Sequence, residues 1–338
     1  MNEIKEANIF SQLEPVLEQR YAGESYKAAK QHLEWESATV FAQTDAHAFR
    51  KCKKILEEWQ LDCSEISGRG SMGSSIMAYL MGVSDIDPIS YSLYPEFVFG
   101  IKREKMPDLE LNIPGHLIDV VGRIPVGGIH IKLIPHEEMG MLQRLSGQTG
   151  IPLKKVPSDD SEVLSLLTEE KKSRGRRYPD IIPVFGEVFV KEMISVLKPK
   201  NFGQFCKVLG LSYGTGIWEG NGEQFAKEGL ADVDSLISCR EDVFEHCLSI
   251  GMSRETAYEI TENIRMGRVF RNRCDQWEDW KRVMLERDTP EWFVQSCERT
   301  EYLFPRAHLV SYMRMHMRMG WFAIHFPEEF ESVAGQVR

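Results

Sequence analysis

Asp108 and Glu110 stand two residues apart in the run P-D-L-E-L. In a strand, residues i and i+2 share a face, so the two carboxylates point together while Leu109 and Leu111 point to a core. Carboxylates so aligned suit Mg²⁺, which takes one or two of them and completes its shell with water and phosphate oxygens. They equally fit the acidic outer face of an amphipathic strand. A second candidate lies upstream, where residues 67–75 read S-G-R-G-S-M-G-S-S and the helix-like I-M-A-Y-L-M follows at once. Glycines let backbone N–H groups approach a phosphate, and a helix behind them offers its positive N-terminus. Arg69 adds a charge-assisted contact. The other reading of this loop is a turn that only caps its helix.

The elements that must hold these groups follow from periodicity. Residues 1–62 read as helical, with Phe49, Ile55, Leu56 and Trp59 at helical spacing among charged neighbours. Residues 63–150 change character, with Gly and Pro punctuation and short alternating runs such as M-P-D-L-E-L-N-I and G-I-H-I-K-L-I, and read as mixed helix and strand. Residues 151–182 are polar and read as a basic linker, in which V-P-S-D-D-S-E has the form of a helix N-cap before V-L-S-L-L. That stretch holds Lys171, Lys172, Arg174, Arg176 and Arg177, which fit either a DNA-binding patch or a solvated loop. Residues 183–338 are dominated by helical patterns broken at G-L-S-Y-G-T-G, P-E-W and F-P-R. The fold class expected is α+β, a small mixed domain followed by a mostly helical one.

A chain of 338 residues with 42% hydrophobic content has enough apolar side chains for one large core or two to three modest ones. No stretch approaches the roughly 18 consecutive apolar residues of a membrane span, and the N-terminus lacks a long apolar run, so a cytoplasmic protein without a membrane partner is expected. The seven cysteines contain no C-x-x-C pair, which disfavours a disulfide framework and a zinc site alike. His130 and His136 lack metal-ligand spacing. A net charge of −10 argues against a generally basic nucleic-acid coat, though a local patch can still bind phosphate. Arg314 and Arg318 share a helix face by their i,i+4 spacing, a packed stripe with a solvated edge or a DNA-facing one.

Loop, helix, D-I-D-P turn and D-x-E strand occur in a specific order. The run S-G-R-G-S-M-G-S-S-I-M-A-Y-L-M-G-V-S-D-I-D-P-I-S-Y, with M-P-D-L-E-L-N after it, resembles the palm of bacterial family C replicative DNA polymerases, the DNA polymerase III alpha subunits. A second block resembles the fingers of the PolC type. It comprises P-V-F-G-E-V-F-V-K-E-M (183–193), G-L-S-Y-G-T-G-I-W-E-G-N (210–221), P-E-W-F-V-Q-S-C (290–297) and Y-L-F-P-R-A-H-L-V-S-Y (302–312).

The resemblance implies a polymerase-beta-like nucleotidyltransferase palm whose Gly-Ser loop faces the triphosphate of an incoming nucleotide. The matching residues are Gly68, Arg69, Gly70, Ser71, Gly73 and Ser74. It also implies three aspartates holding two Mg²⁺ ions. Here Asp108 matches the first, Glu110 replaces the second, and the stretch H-I-K-L-I-P-H-E-E sets Lys132 at the third, with Asp119 the nearest spare carboxylate. A salt bridge from Lys132 to Asp108 and Glu110 would replace the metal by a fixed cation. Arg306, His308 and Tyr312 match a fingers motif beside the nucleotide and primer end, while Tyr213 and Gly216 stand where the family usually has His and Asp. The separation of the two palm strands leaves no room for the family's thumb, and neither its flanking modules nor its cysteine-rich palm insert is expected. Three functions follow: a catalytically impaired homologue binding DNA, a deoxynucleotide or a replisome-type protein; an active minimal polymerase that needs Mg²⁺; or a protein-interaction module without nucleic-acid binding.

Overall fold

The computed structural model describes residues 9–38, 42–102, 108–120, 123–126, 129–168, 172–173, 176–177, 182 and 184–336. The chain forms two compact units, residues 1–154 with 333–338 and residues 155–332. The α+β expectation holds.

The first unit opens with helices α1 (Ile9–Arg20), α2 (Gly23–Ser37) and α3 (Ala42–Glu58). In α3 the buried residues Phe49, Cys52 and Leu56 fall at helical spacing, so one stripe is withdrawn from water and the charged remainder stays out. A four-stranded sheet follows in the order β1-β2-β4-β3, where β1 is Ser67–Gly68, β2 Leu109–Pro114, β3 Arg123–Val126 and β4 Ile129–His136. The strands β2 and β4 run parallel, and the other two pairs are antiparallel. Leu109, Leu111, Ile131 and Leu133 face one core with the inner residues of the three helices, which leaves the alternate positions on the other face. The short helices α4 (Ile76–Leu80) and α5 (Glu96–Phe99) follow the Gly-Ser loop, and α6 (Glu137–Thr149) follows β4 directly.

The second unit begins with α7 (Ser161–Thr168). Asp160 caps it, accepting from the N–H groups of Glu162 at 2.9 Å and Val163 at 3.2 Å, as the S-D-D-S-E pattern predicts. Val163, Leu166 and Leu167 are buried, so part of the stretch expected as a linker is packed structure. A two-stranded antiparallel pair, β5 (Lys172–Ser173) with β6 (Arg176–Arg177), and the helices α8 (Val188–Leu197), α9 (Phe202–Tyr213), α10 (Glu223–Lys227), α11 (Arg240–Ser249), α12 (Arg254–Arg265), α13 (Trp277–Glu286), α14 (Glu291–Arg299) and α15 (Arg306–His325) follow, before α16 (Pro327–Gln336). The helix α15 is buried on most of its circumference, from Ala307 to Ala323, and α7 and α9 pack against it. Its Arg318 is buried rather than at a solvated edge.

Candidate functional site

The register of β2 and β4 sets Lys132 directly opposite Glu110. Leu109 and Leu111 on one strand, and Ile131 and Leu133 on the other, point into the core, which turns Asp108, Glu110 and Lys132 to the opposite face. There the Lys132 ammonium lies 2.8 Å from Asp108 Oδ2 and 2.8 Å from Glu110 Oε1. Asp108 also accepts from the His130 backbone N–H at 3.0 Å, and its Oδ1 is 3.3 Å from His130 Nδ1. The hydrogen bond from Lys132, helped by those from His130, holds the Asp108 carboxyl down to about 2 despite some desolvation. The same hydrogen bonds, to Asp108 first and Glu110 second, raise the pKa of Lys132. Both partners are thus charged across the neutral range.

This donor set does not fit the pair of Mg²⁺ ions that the sequence resemblance implies. A metal needs the carboxylate lone pairs that Lys132 already engages, and an ammonium between them repels a cation. Among the described residues no group of three His, Cys, Asp or Glu side chains is placed to hold a metal. The side chain of Asp119 lies outside the described residues.

The Gly-Ser loop starts at the edge of the same sheet. Ser67 and Gly68 pair with Asn112 and Leu111, and the Arg69 N–H donates to the Glu110 carbonyl at 2.9 Å. The Arg69 guanidinium reaches Asn112 Oδ1 at 3.3 Å, one step along β2 from the carboxylates. Gly70 has φ +60, the left-handed turn that glycine adopts without strain. A 3₁₀ turn at Met72–Ser74 then leads to Ser75, which caps α4. Gly68, Arg69, Gly70 and Ser71 are half-buried, whereas Gly73 and Ser74 are buried and present no surface to a ligand.

The helix end behind the loop is filled from within. Glu36, wholly buried on α2, accepts from Ser75 Oγ at 2.8 Å, the Ile76 N–H at 2.7 Å and the Met77 N–H at 3.1 Å. Its neighbour His32 bonds the Ser74 carbonyl at 3.0 Å. The expectation that α4 offers its N-terminus to a phosphate is therefore corrected: a carboxylate of the chain itself satisfies those donors. The sequence carried a signal for this pair, since His32 and Glu36 fall on the same stripe as Ala29 and Leu33, an ionisable pair on an otherwise apolar helix face.

In the second unit Arg306 is the first residue of α15. Its guanidinium meets Glu245 twice, at 2.6 and 2.7 Å, and Asp242 at 3.2 Å, while its backbone N–H donates to Glu241 at 2.7 Å. Lys207 completes the cluster, 3.0 Å from Asp242. Burial alone would raise the Asp242 carboxyl, but the charges of Lys207 and Arg306 hold it well below the usual range. Arg306, predicted as a nucleotide contact, is thus engaged by three acidic residues of α11. His308 is buried and stacks on Phe304 at 5.2 Å and against Tyr312 at 4.5 Å. Tyr213 joins this group 6.1 Å from Tyr312, and Tyr302 lies 5.1 Å from Phe304. Tyr213, Tyr302, Phe304 and Tyr312 are half-exposed, which makes an aromatic wall at the start of α15. Of the basic stretch, Lys171 and Arg174 lie outside the described residues; the backbones of Lys172, Arg176 and Arg177 form the β5–β6 pair, and their side chains are not described.

Residues 8–121 match the bacterial DNA polymerase III alpha NTPase domain, and residues 137–272 match the bacterial DNA polymerase III alpha subunit finger domain. The chain belongs to the family of bacterial DNA polymerase III alpha subunits, in palm and fingers. Its relatives include DNA polymerases III of the PolC type. It is 32% identical to the PolC-type DNA polymerase III of Lactococcus lactis over 208 residues, 59% of this chain and 13% of that protein. Identity is also 32% to the Lacticaseibacillus paracasei protein, over 62% of this chain and 15% of that one, and 30% to the Staphylococcus aureus protein, over 59% and 14%. The chain therefore spans only a small part of the length of these relatives. The strand β4, with His130 and Lys132, falls between the two matched segments.

Proposed function

We propose that this chain is a PolC-type DNA polymerase III alpha homologue whose palm does not carry out two-metal nucleotidyl transfer, and that it works by binding DNA. The observation that carries this reading is the Lys132 ammonium, 2.8 Å from an oxygen of Asp108 and 2.8 Å from one of Glu110. Two-metal catalysis asks for carboxylates free to clamp cations around the attacking and leaving oxygens. Here they clamp a lysine. Glu110 departs further, because one extra methylene shifts a ligand by about a bond length, which such a site tolerates poorly. The half-exposed aromatic wall at the start of α15 supports the binding half of the reading, since aromatic faces accept nucleobases of any sequence. A deoxynucleotide and a replisome-type protein are further partners that the family suggests, and the bacterial cytoplasm is the setting it implies.

Primer extension with Mg²⁺ or Mn²⁺ tests the catalytic half, with Asp108→Ala as control. No incorporation is expected from either protein. Incorporation by the unaltered chain that Asp108→Ala abolishes would overturn the reading in favour of an active minimal polymerase. A salt series tests the binding half: DNA affinity should fall steeply as salt rises. A chain with no DNA affinity at low salt is a protein-interaction module instead.

A further inference from the structure

Residues 265–273 read R-M-G-R-V-F-R-N-R, four arginines and no acid in a chain whose net charge is −10. The first arginine belongs to the helix it ends, because Glu262 holds the Arg265 guanidinium by two contacts of 2.8 and 2.7 Å. The other three do not share that fate. Among the described residues Arg268, Arg271 and Arg273 make no ion pair. All three are exposed, and so are Met266 at 42% and Phe270 at 44%.

The loop is built rather than loose. Gly267 turns the chain with φ +60, and a Cβ there would stand 2.4 Å from Arg271 Nη1 and 2.4 Å from the Glu301 carbonyl. Backbone hydrogen bonds tie Arg268 to Asn263 at 2.9 Å, Arg271 to Gly267 at 3.1 Å, Asn272 to Val269 at 3.0 Å and Arg273 to Arg268 at 2.7 Å. The Arg271 guanidinium donates to the Met266 carbonyl at 2.7 Å, and Val269 is buried beneath. Single exposed apolar residues are ordinary on protein surfaces. A phenylalanine held outward by a fixed turn, with guanidinium groups before and after it in sequence, is a different arrangement, and it matches the two needs of an unpaired strand: a flat face for a base and cations for the phosphates on either side.

We propose that this loop is a docking surface for single-stranded nucleic acid, with the Phe270 ring stacking on a base and Arg268, Arg271 and Arg273 holding the flanking phosphates. A duplex keeps its interior bases stacked on one another and offers Phe270 no face along its length, so the site favours single over double strands. The proposal rests on the DNA-binding reading above and gives that binding a place in the second unit. Preorganisation by the turn lowers the ordering cost of docking.

The test uses the full chain with fluorescein-labelled oligo(dT) and a blunt duplex of equal length. Phe270→Ala is expected to weaken oligo(dT) binding roughly 5- to 150-fold, the range of one lost aromatic–base stack, with duplex affinity unchanged. The double variant Arg268→Gln/Arg273→Gln should reduce the slope of log affinity against log salt by about 1.4, two single-strand phosphates' worth. Thermal melts matching the unaltered chain show that the variants fold. Oligo(dT) affinity untouched by Phe270→Ala overturns the site while leaving the DNA-binding reading standing. Equal weakening of oligo(dT) and duplex overturns the stacking. Polyglutamate competing as well as oligo(dT) against an indifferent Phe270→Ala assigns the loop to an acidic protein and overturns the proposal. An unaltered chain that binds no oligo(dT) removes both readings together.

Discussion

Lys132 in the first unit and Arg306 in the second each bridge carboxylates, and their surroundings set them different tasks. Lys132, Asp108 and Glu110 lie on an open sheet face, with side chains 31%, 27% and 37% exposed. Arg306 enters a cluster in which the Glu241 side chain is wholly buried and that of Asp242 is 9% exposed. Water screens the first group, so its bonds add little to stability and act instead on what else can bind there. Water is largely excluded from the second, so every charge in it depends on its partners. The comparison teaches that a cation among carboxylates is a statement about ligands in one place and about the fold in the other.

The largest effect expected is therefore at Arg306. Arg306→Met should cost about 3–5 kcal/mol by urea unfolding, because it takes one of the two cations from the buried Asp242 and the guanidinium from Glu245. An unfolding midpoint left where it was, with nucleotide affinity lost, would break the comparison and make Arg306 a ligand contact. Glu36 comes next, a wholly buried carboxylate of the first unit. Glu36→Ala should cost about 2–4 kcal/mol by the same measurement, because it strips acceptors from the Ser75 hydroxyl and the N–H groups of Ile76 and Met77. Glu36→Gln, which keeps one acceptor oxygen, should cost less.

Acid sharpens the contrast without mutation. Asp242 and Asp108 both have folded pKa values below the ordinary 3.8, Asp108 at about 2. A carboxyl depressed by folding stabilises the protein above its unfolded pKa, and that stability is lost as pH falls towards and through the folded value. Urea midpoints should therefore decline from about pH 4 downward, where the unfolded chain takes up protons that the folded one refuses. In Arg306→Met the decline should flatten, because Asp242 then loses one of the two cations that hold its carboxyl down and keeps Lys207 and the Ser238 donors. A decline as steep as in the unaltered chain would place the acid sensitivity elsewhere.

Much of the site was legible because it is written in local pattern. The alternation in P-D-L-E-L fixed the shared face of Asp108 and Glu110, and S-D-D-S-E marked the cap of α7. The order of loop, turn and strand pointed to the palm, and the Lys132 bridge followed from the resemblance, which set Lys132 at the place of the third aspartate. What stayed hidden depends on partners far apart in the chain. Glu36 acts 39 residues before Ser75, and Arg306 meets Glu245 61 residues before it, so neither pair lies within a single motif. Both are charges whose role is set by burial, and spacing alone does not report which ionisable residues on a helix turn inward. The arginines and Phe270 of the 265–273 loop were likewise unremarked, because a run of this kind reads as a solvated turn until the backbone shows which side chains it holds outward.

The smallest effect on stability, and the sharpest on chemistry, is expected at Lys132. Lys132→Met should leave the melting temperature close to that of the unaltered chain, because the bridge is solvated. The Asp108 carboxyl should titrate closer to its ordinary 3.8, as its first stabilising partner is gone while the His130 donors stay in place. A carboxyl NMR titration reads this directly. Lys132→Asp goes further and places a third carboxylate on the same face, opposite Glu110 in the register of β2 and β4. Mn²⁺ should then broaden the resonances of Asp108 and Glu110 in the variant and leave those of the unaltered chain sharp. Equal broadening in both would mean that a divalent ion displaces the lysine at will, and Lys132 would then be a resting counter-ion of a working metal site rather than its replacement.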